Sequence, residues 1–120
     1  MRDMAFTKKS MSKPDETRKF GHGGIKVASI GDHTLGLGTF RPGWKWSKDV
    51  KPIAKTESCQ VHHVGYVISG RMSGVTDDGA KWSVKAGDVM DLEPGHDAWV
   101  VGKETVAILD ITSGATYAKK

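Results

Sequence analysis

From Ile25 onward, apolar residues come in short bursts, often alternating with polar ones, and Gly, Asp or Pro separates one burst from the next. That alternation has the period of a β-strand, in which successive side chains point to opposite faces. It predicts strands at residues 26–30, 34–40, 57–62, 65–68, 71–75, 80–85, 89–92, 98–101 and 105–111. Nowhere do apolar positions recur with the period of a helix. Asp77-Asp78-Gly79, set between two such segments, is a hairpin signal, because Asp-Gly supplies the positive φ that tight reversals demand. Lys85-Ala86-Gly87-Asp88 and Glu93-Pro94-Gly95 mark two further turns. So many short strands at close spacing predict an all-β fold, an antiparallel sandwich or small barrel. Such a barrel has a mouth and an interior lined by alternate residues, where a ligand or metal can sit.

Residues 1–20 are polar, contain Pro14 and lack a sustained apolar face, so they read as a flexible basic tail with one short helical turn near residues 15–19. Residues 21–118 then form a single domain. Within it, residues 41–55 read as a loop or irregular strand carrying Trp44 and Trp46. Two tryptophans one residue apart face the same way in a strand, either as a core plug or lid or as the aromatic wall of a ligand pocket.

With 120 residues and 13.0 kDa, the chain suits one compact core. Its 38% apolar and 27% charged residues exclude both a membrane span and a disordered polymer. No apolar run reaches the roughly 18 residues of a transmembrane helix, and the first residues lack a hydrophobic secretion segment, so the expected address is cytoplasmic. The net charge of +4 sits at the ends: +3 in residues 1–20, +2 in the last two lysines and −1 in between. A basic patch inside the body is confined to Arg41, Lys45, Lys48, Lys51 and Lys55 beside Asp49, so a nucleic-acid partner is not expected. No Ser-His-Asp spacing, phosphate loop or Cys-x-x-Cys is present. One cysteine, Cys59, rules out an intramolecular disulfide and leaves either a buried small side chain or a reactive or metal-binding thiolate.

The stretch from residue 57 to residue 102 resembles the cupin superfamily, whose small barrel carries two motifs joined by a hairpin. The closing glycine of the first motif is recognisable in Tyr66-Val67-Ile68-Ser69-Gly70-Arg71-Met72, and the second opens at Gly87-Asp88-Val89. Counting back from Gly70, the family's His-x-His-x-x-x-Glu falls on Glu57-x-Cys59-x-x-x-His63. Counting forward from Gly87, the family proline falls on Glu93, its glycine on Gly95, its last metal histidine on Ala98 and its asparagine on Gly102. His96 lies two residues before Ala98, which on a strand keeps the same face. Ser58 to Tyr66 together with Pro94 to Gly102 also resembles a subgroup of small single-domain bacterial cupins without an assigned reaction.

The resemblance implies a double-stranded β-helix of jelly-roll type, with a divalent metal in its cavity held by Glu57, Cys59, His63 and His96. A carboxylate, a thiolate and imidazoles suit zinc better than magnesium or calcium. Adjacent residues on a strand cannot both face inward, so His62 is the second choice to His63. If His96 does not complete a tetrahedron, the fourth position is open to water or substrate. Asp97 either orients the neighbouring imidazole or caps a turn; Tyr66 either lends a phenol to the pocket or packs; Trp82 and Trp99 belong to the barrel core or a dimer face. Apolar residues on both faces of residues 65–68 predict a homodimer. Three functions follow: a metal-dependent enzyme acting on a small organic molecule, a non-catalytic metal or small-molecule sensor or binding module, and a metal-free structural protein.

Overall fold

The computed structural model describes residues 5–111 and residue 117. Nine strands and two single-turn helices follow one another as β1 (Glu16–Phe20), β2 (Gly23–Ile30), β3 (His33–Phe40), α1 (Trp46–Asp49), α2 (Lys51–Ala54), β4 (His63–Ser69), β5 (Arg71–Thr76), β6 (Lys81–Lys85), β7 (Val89–Leu92), β8 (His96–Val100) and β9 (Val106–Asp110). They form a six-stranded sheet in the order β1-β2-β3-β9-β4-β7 and a three-stranded sheet in the order β6-β5-β8. Every pairing is antiparallel. No ladder closes the two sheets into a barrel, so the expected barrel is a pair of facing sheets. Their inner faces supply one core, with Ile25, Phe40, Val67 and Ile108 from the larger sheet meeting Met72 and Ala98 from the smaller.

The predicted hairpin at Asp77-Asp78-Gly79 joins β5 to β6, with Gly79 at φ +92° and its N–H donating to the Thr76 carbonyl. Three expectations fail, each for a local physical reason. Residues 16–20, read as tail with a helical turn, are the strand β1: Arg18 and Phe20 alternate inward, and Arg18 is satisfied by the Glu16 carboxylate and the Tyr117 carbonyl. Residues 57–62 do not form a ladder, because the Thr56 hydroxyl and the Gln60 amide bond the Ser58 carbonyl and the Ser58 hydroxyl bonds Asp77. Such side-chain bonds compete with strand pairing, and only Cys59 makes a bridge, to His96. Inside residues 41–55, two turns of helix replace the irregular strand, their four residues too few to show a period. No described helix is long and apolar enough to cross a membrane.

On the smaller sheet, Gly74 lies opposite Trp82 and Ala98. A Cβ added at Gly74 would meet the indole of Trp82 at 2.2 Å and the carbonyl of Asp97 at 2.2 Å. The glycine is therefore the seat on which the Trp82 ring lies. We expect Gly74→Ala to destabilise by about 3 kcal/mol, through overpacking against main chain. Gly79→Ala, at a positive φ with open space around it, is expected to cost about 1 kcal/mol. Urea unfolding of both variants checks the order; equal losses would mean that the Trp82 seat is not tight.

Candidate metal centre

Cys59, His63 and His96 come from three places: the irregular segment before β4, the first residue of β4 and the first residue of β8. The main chain joins two of them. The Cys59 N–H donates to the His96 carbonyl at 2.8 Å, and the Gly95 and His96 N–H groups donate back to the Cys59 carbonyl at 2.7 and 3.3 Å. Cys59 and His96 are each only 2% exposed. One potential ligand atom from each of the three side chains lies within 4.8 Å of the other two.

Hydrogen bonds orient both rings. His63 Nδ1 lies 2.8 Å from Asp110 Oδ2, and His96 Nδ1 lies 2.8 Å from the Glu93 carbonyl. Both partners are acceptors, so Nδ1 carries the proton and the lone pair of each neutral ring sits on Nε2. Cys59 Sγ lies 3.6 Å from His63 Nε2, to which the thiol donates. Burial pushes the Cys59 thiol up to about 11, helped by the carboxylates of Asp110 and Asp97 and opposed by a hydrogen bond from the Val61 N–H. Burial also pushes His96 down to about 4; its bond to the Glu93 carbonyl works the other way, and His63 lowers it further. The Tyr117 hydroxyl, deeply buried, is held well above its ordinary pKa.

This donor set fits a transition metal. With Zn–S near 2.3 Å and Zn–N near 2.0–2.1 Å, tetrahedral ligands stand about 3.6 Å apart, the observed separation of Sγ and Nε2. A carboxylate or carbonyl behind each imidazole is the arrangement that fixes metal-ligating histidines. The donors line a cavity of about 50 Å³ whose other walls include Phe40, Trp44, Trp46, Met72 and Trp82.

The remaining sequence-predicted site residues stand elsewhere. Glu57 has a 98% exposed side chain that pairs with Lys51, because the segment around it is not a strand and the two-residue alternation lapses. His62 points outward to Asp91. Tyr66 lies on the outer face of the larger sheet, 47% exposed. Asp97 accepts from the Ser47 and Ala98 N–H groups, tying α1 to β8 rather than orienting His96. Trp44 and Trp46 are core residues and cavity walls at once. Asp110 and Tyr117 were not anticipated. Asp110 has a legible signal, a carboxylate on the inward face of Val106-x-Ile108-x-Asp110; Tyr117 has none.

The state of His96 sets a pH dependence in metal-free protein. Its pKa is near 6.5 in the unfolded chain and about 4 in the fold, so the unfolded chain binds more protons between those values. Stability is therefore full above pH 6.5 and lost as pH falls toward 4. Between pH 7 and 4.5 the wild type is expected to lose about 2 kcal/mol more than His96→Gln, measured by urea unfolding at both pH values. Parallel losses would place the acid sensitivity elsewhere.

No protein-family model matches the sequence, and no curated protein matches it. Solved structures do. A protein of unknown function from Rhizobium leguminosarum bv. viciae superposes with a TM-score of 0.62 at 20% identity, covering 91% of this chain and 97% of that one. An uncharacterised conserved protein with a double-stranded β-helix domain, from Klebsiella pneumoniae, gives 0.59 at 19%, covering 98% and 93%. An RmlC-like cupin of Methanocaldococcus jannaschii gives 0.54 at 8%, covering 75% and 78%. Facing antiparallel sheets, inward ligands at the start of β4 and β8, and these neighbours lead to one conclusion: the chain has the double-stranded β-helix fold of the cupin superfamily.

Proposed function

We propose that this protein binds one divalent transition metal, zinc by the softness of its donors, through Cys59, His63 and His96, and uses it to act on a small organic molecule. One observation carries the reading: three inward donors, two with their rings oriented from behind, converge on the wall of an otherwise apolar cavity. A bound ion supplies Lewis acidity at the position that three protein ligands leave open. Asp110 holds the proton of His63 Nδ1 and keeps the Nε2 lone pair turned to the site. Cys59 gives up its proton on binding, and the cavity wall keeps bulk water out. A ligand thiol without a disulfide partner suits the reducing cytoplasm as the place of work.

One observation favours the metal-free reading. Cys59, His63, Asp110 and His96 are joined by hydrogen bonds that need no ion. Elemental analysis of purified protein separates the two. We expect about one equivalent of a single metal, strongly reduced in Cys59→Ser and His63→Ala and unchanged in His22→Ala, His33→Ala and Glu57→Gln. Less than about a tenth of an equivalent after zinc is added back would leave the structural reading standing.

We further propose that two copies pair through the outer face of the larger sheet. Tyr66 and Val89 lie in one cross-strand row with Leu37 and Leu109, and Ile68 and Ile111 are half-exposed beside it. Ile68→Lys with Val89→Lys is expected to turn a sedimenting dimer into a monomer without loss of metal. A monomeric wild type would refute the pairing.

A further inference from the structure

The cavity beside the three ligands carries polar hydrogens that the fold does not use. Trp44 and Trp82 both line it, and the indole Nε1 of each is buried without a hydrogen-bond partner among the described residues. Buried polar groups are nearly always paired, so two orphaned donors in one cavity require a reason. Packing does not supply it. Trp44 stacks at 4.6 Å on Phe40, and Trp82 meets His96 edge-on at 6.5 Å; phenylalanine makes such contacts without stranding an N–H.

Indole donates and never accepts. With the Cys59 and histidine lone pairs turned to an ion and Asp110 Oδ2 taken by His63 Nδ1, the cavity presents donors within apolar walls. That combination selects acceptor oxygen on a compact carbon frame and rejects cations. A volume of about 50 Å³ holds roughly four water-sized groups.

We propose that Trp44 and Trp82 determine the specificity of this cavity, and that its ligand is a carbonyl or carboxylate compound of roughly four non-hydrogen atoms whose oxygens accept from the two indole N–H groups. The placement of that ligand beside an ion rests on the metal reading above; the two donors do not. Acceptors of this class are charged or neutral, and the test tells them apart.

The chain has four tryptophans, so indole N–H resonances of the full-length ¹⁵N-labelled protein form a small set that single Trp→Phe variants assign. The protein is titrated to high millimolar concentration with acetate, acetone and methylammonium, with and without zinc. Saturable shifts of Trp44 and Trp82 with acetate identify an anionic acceptor, and with acetone a neutral one. Trp99, whose ring lies under Lys45, serves as the outside control and stays still, as do all resonances with methylammonium. Trp82→Phe is expected to weaken the responding ligand about tenfold while keeping its metal content. Silent Trp44 and Trp82 resonances with both acceptors, or equal movement of Trp99, would overturn the inference. Metal analysis on the same samples keeps the two readings apart: responding indoles without metal sink only the metal site, and bound metal with silent indoles sinks only this proposal. Should Trp82→Phe fail to fold, the wild-type titration decides.

Discussion

The antiparallel bridge between Cys59 and His96 is the joint on which the rest of the site depends. No ladder closes the two sheets, yet here the irregular segment leading into β4 is tied by main-chain hydrogen bonds to the first residue of β8. Two donors are thereby placed by backbone geometry, which tolerates less drift than a pair of side-chain rotamers. His63 follows four residues later at the start of β4 and enters the same space. The cavity is thus built from where strands begin, and its donor set survives the lack of barrel closure.

Electrostatics then work against charge until a cation arrives. The apolar surroundings keep the thiol protonated and the His96 ring neutral, and the single buried carboxylate, Asp110, is committed to His63. An ion must displace a proton from sulfur to enter. Softer ions, which bind thiolate strongly, gain most from that exchange, whereas magnesium and calcium gain little. The same dryness explains why the indole donors of Trp44 and Trp82 stand out.

Much of the architecture was legible because β-structure leaves local marks: alternation, Asp-Gly reversals and glycines at positive φ. The ligands Cys59, His63 and His96 were legible through their spacing from Gly70 and Gly87. Glu57 was misread because spacing assumes a continuous strand, and the Ser58 hydrogen bonds interrupt it. His62 and His63 separated correctly on the simple ground that neighbours on a strand face apart. Residues 16–20 hid their strand because Arg18 is an inward residue that looks like a surface one, its guanidinium answered by a carbonyl 99 positions away. Long-range partners of this kind, Asp110 among them, leave no trace near the residue they serve.

The carboxylate behind His63 lies 47 residues further along the chain, on a strand that pairs with both β3 and β4. Contacts between such distant segments close late, after the costly loops between them have been ordered. The donor cluster is therefore assembled near the end of folding and is absent from most of the climb to the barrier. An ion captured there would leave the folding rate almost untouched and act on the reverse step, holding the native chain shut against unfolding.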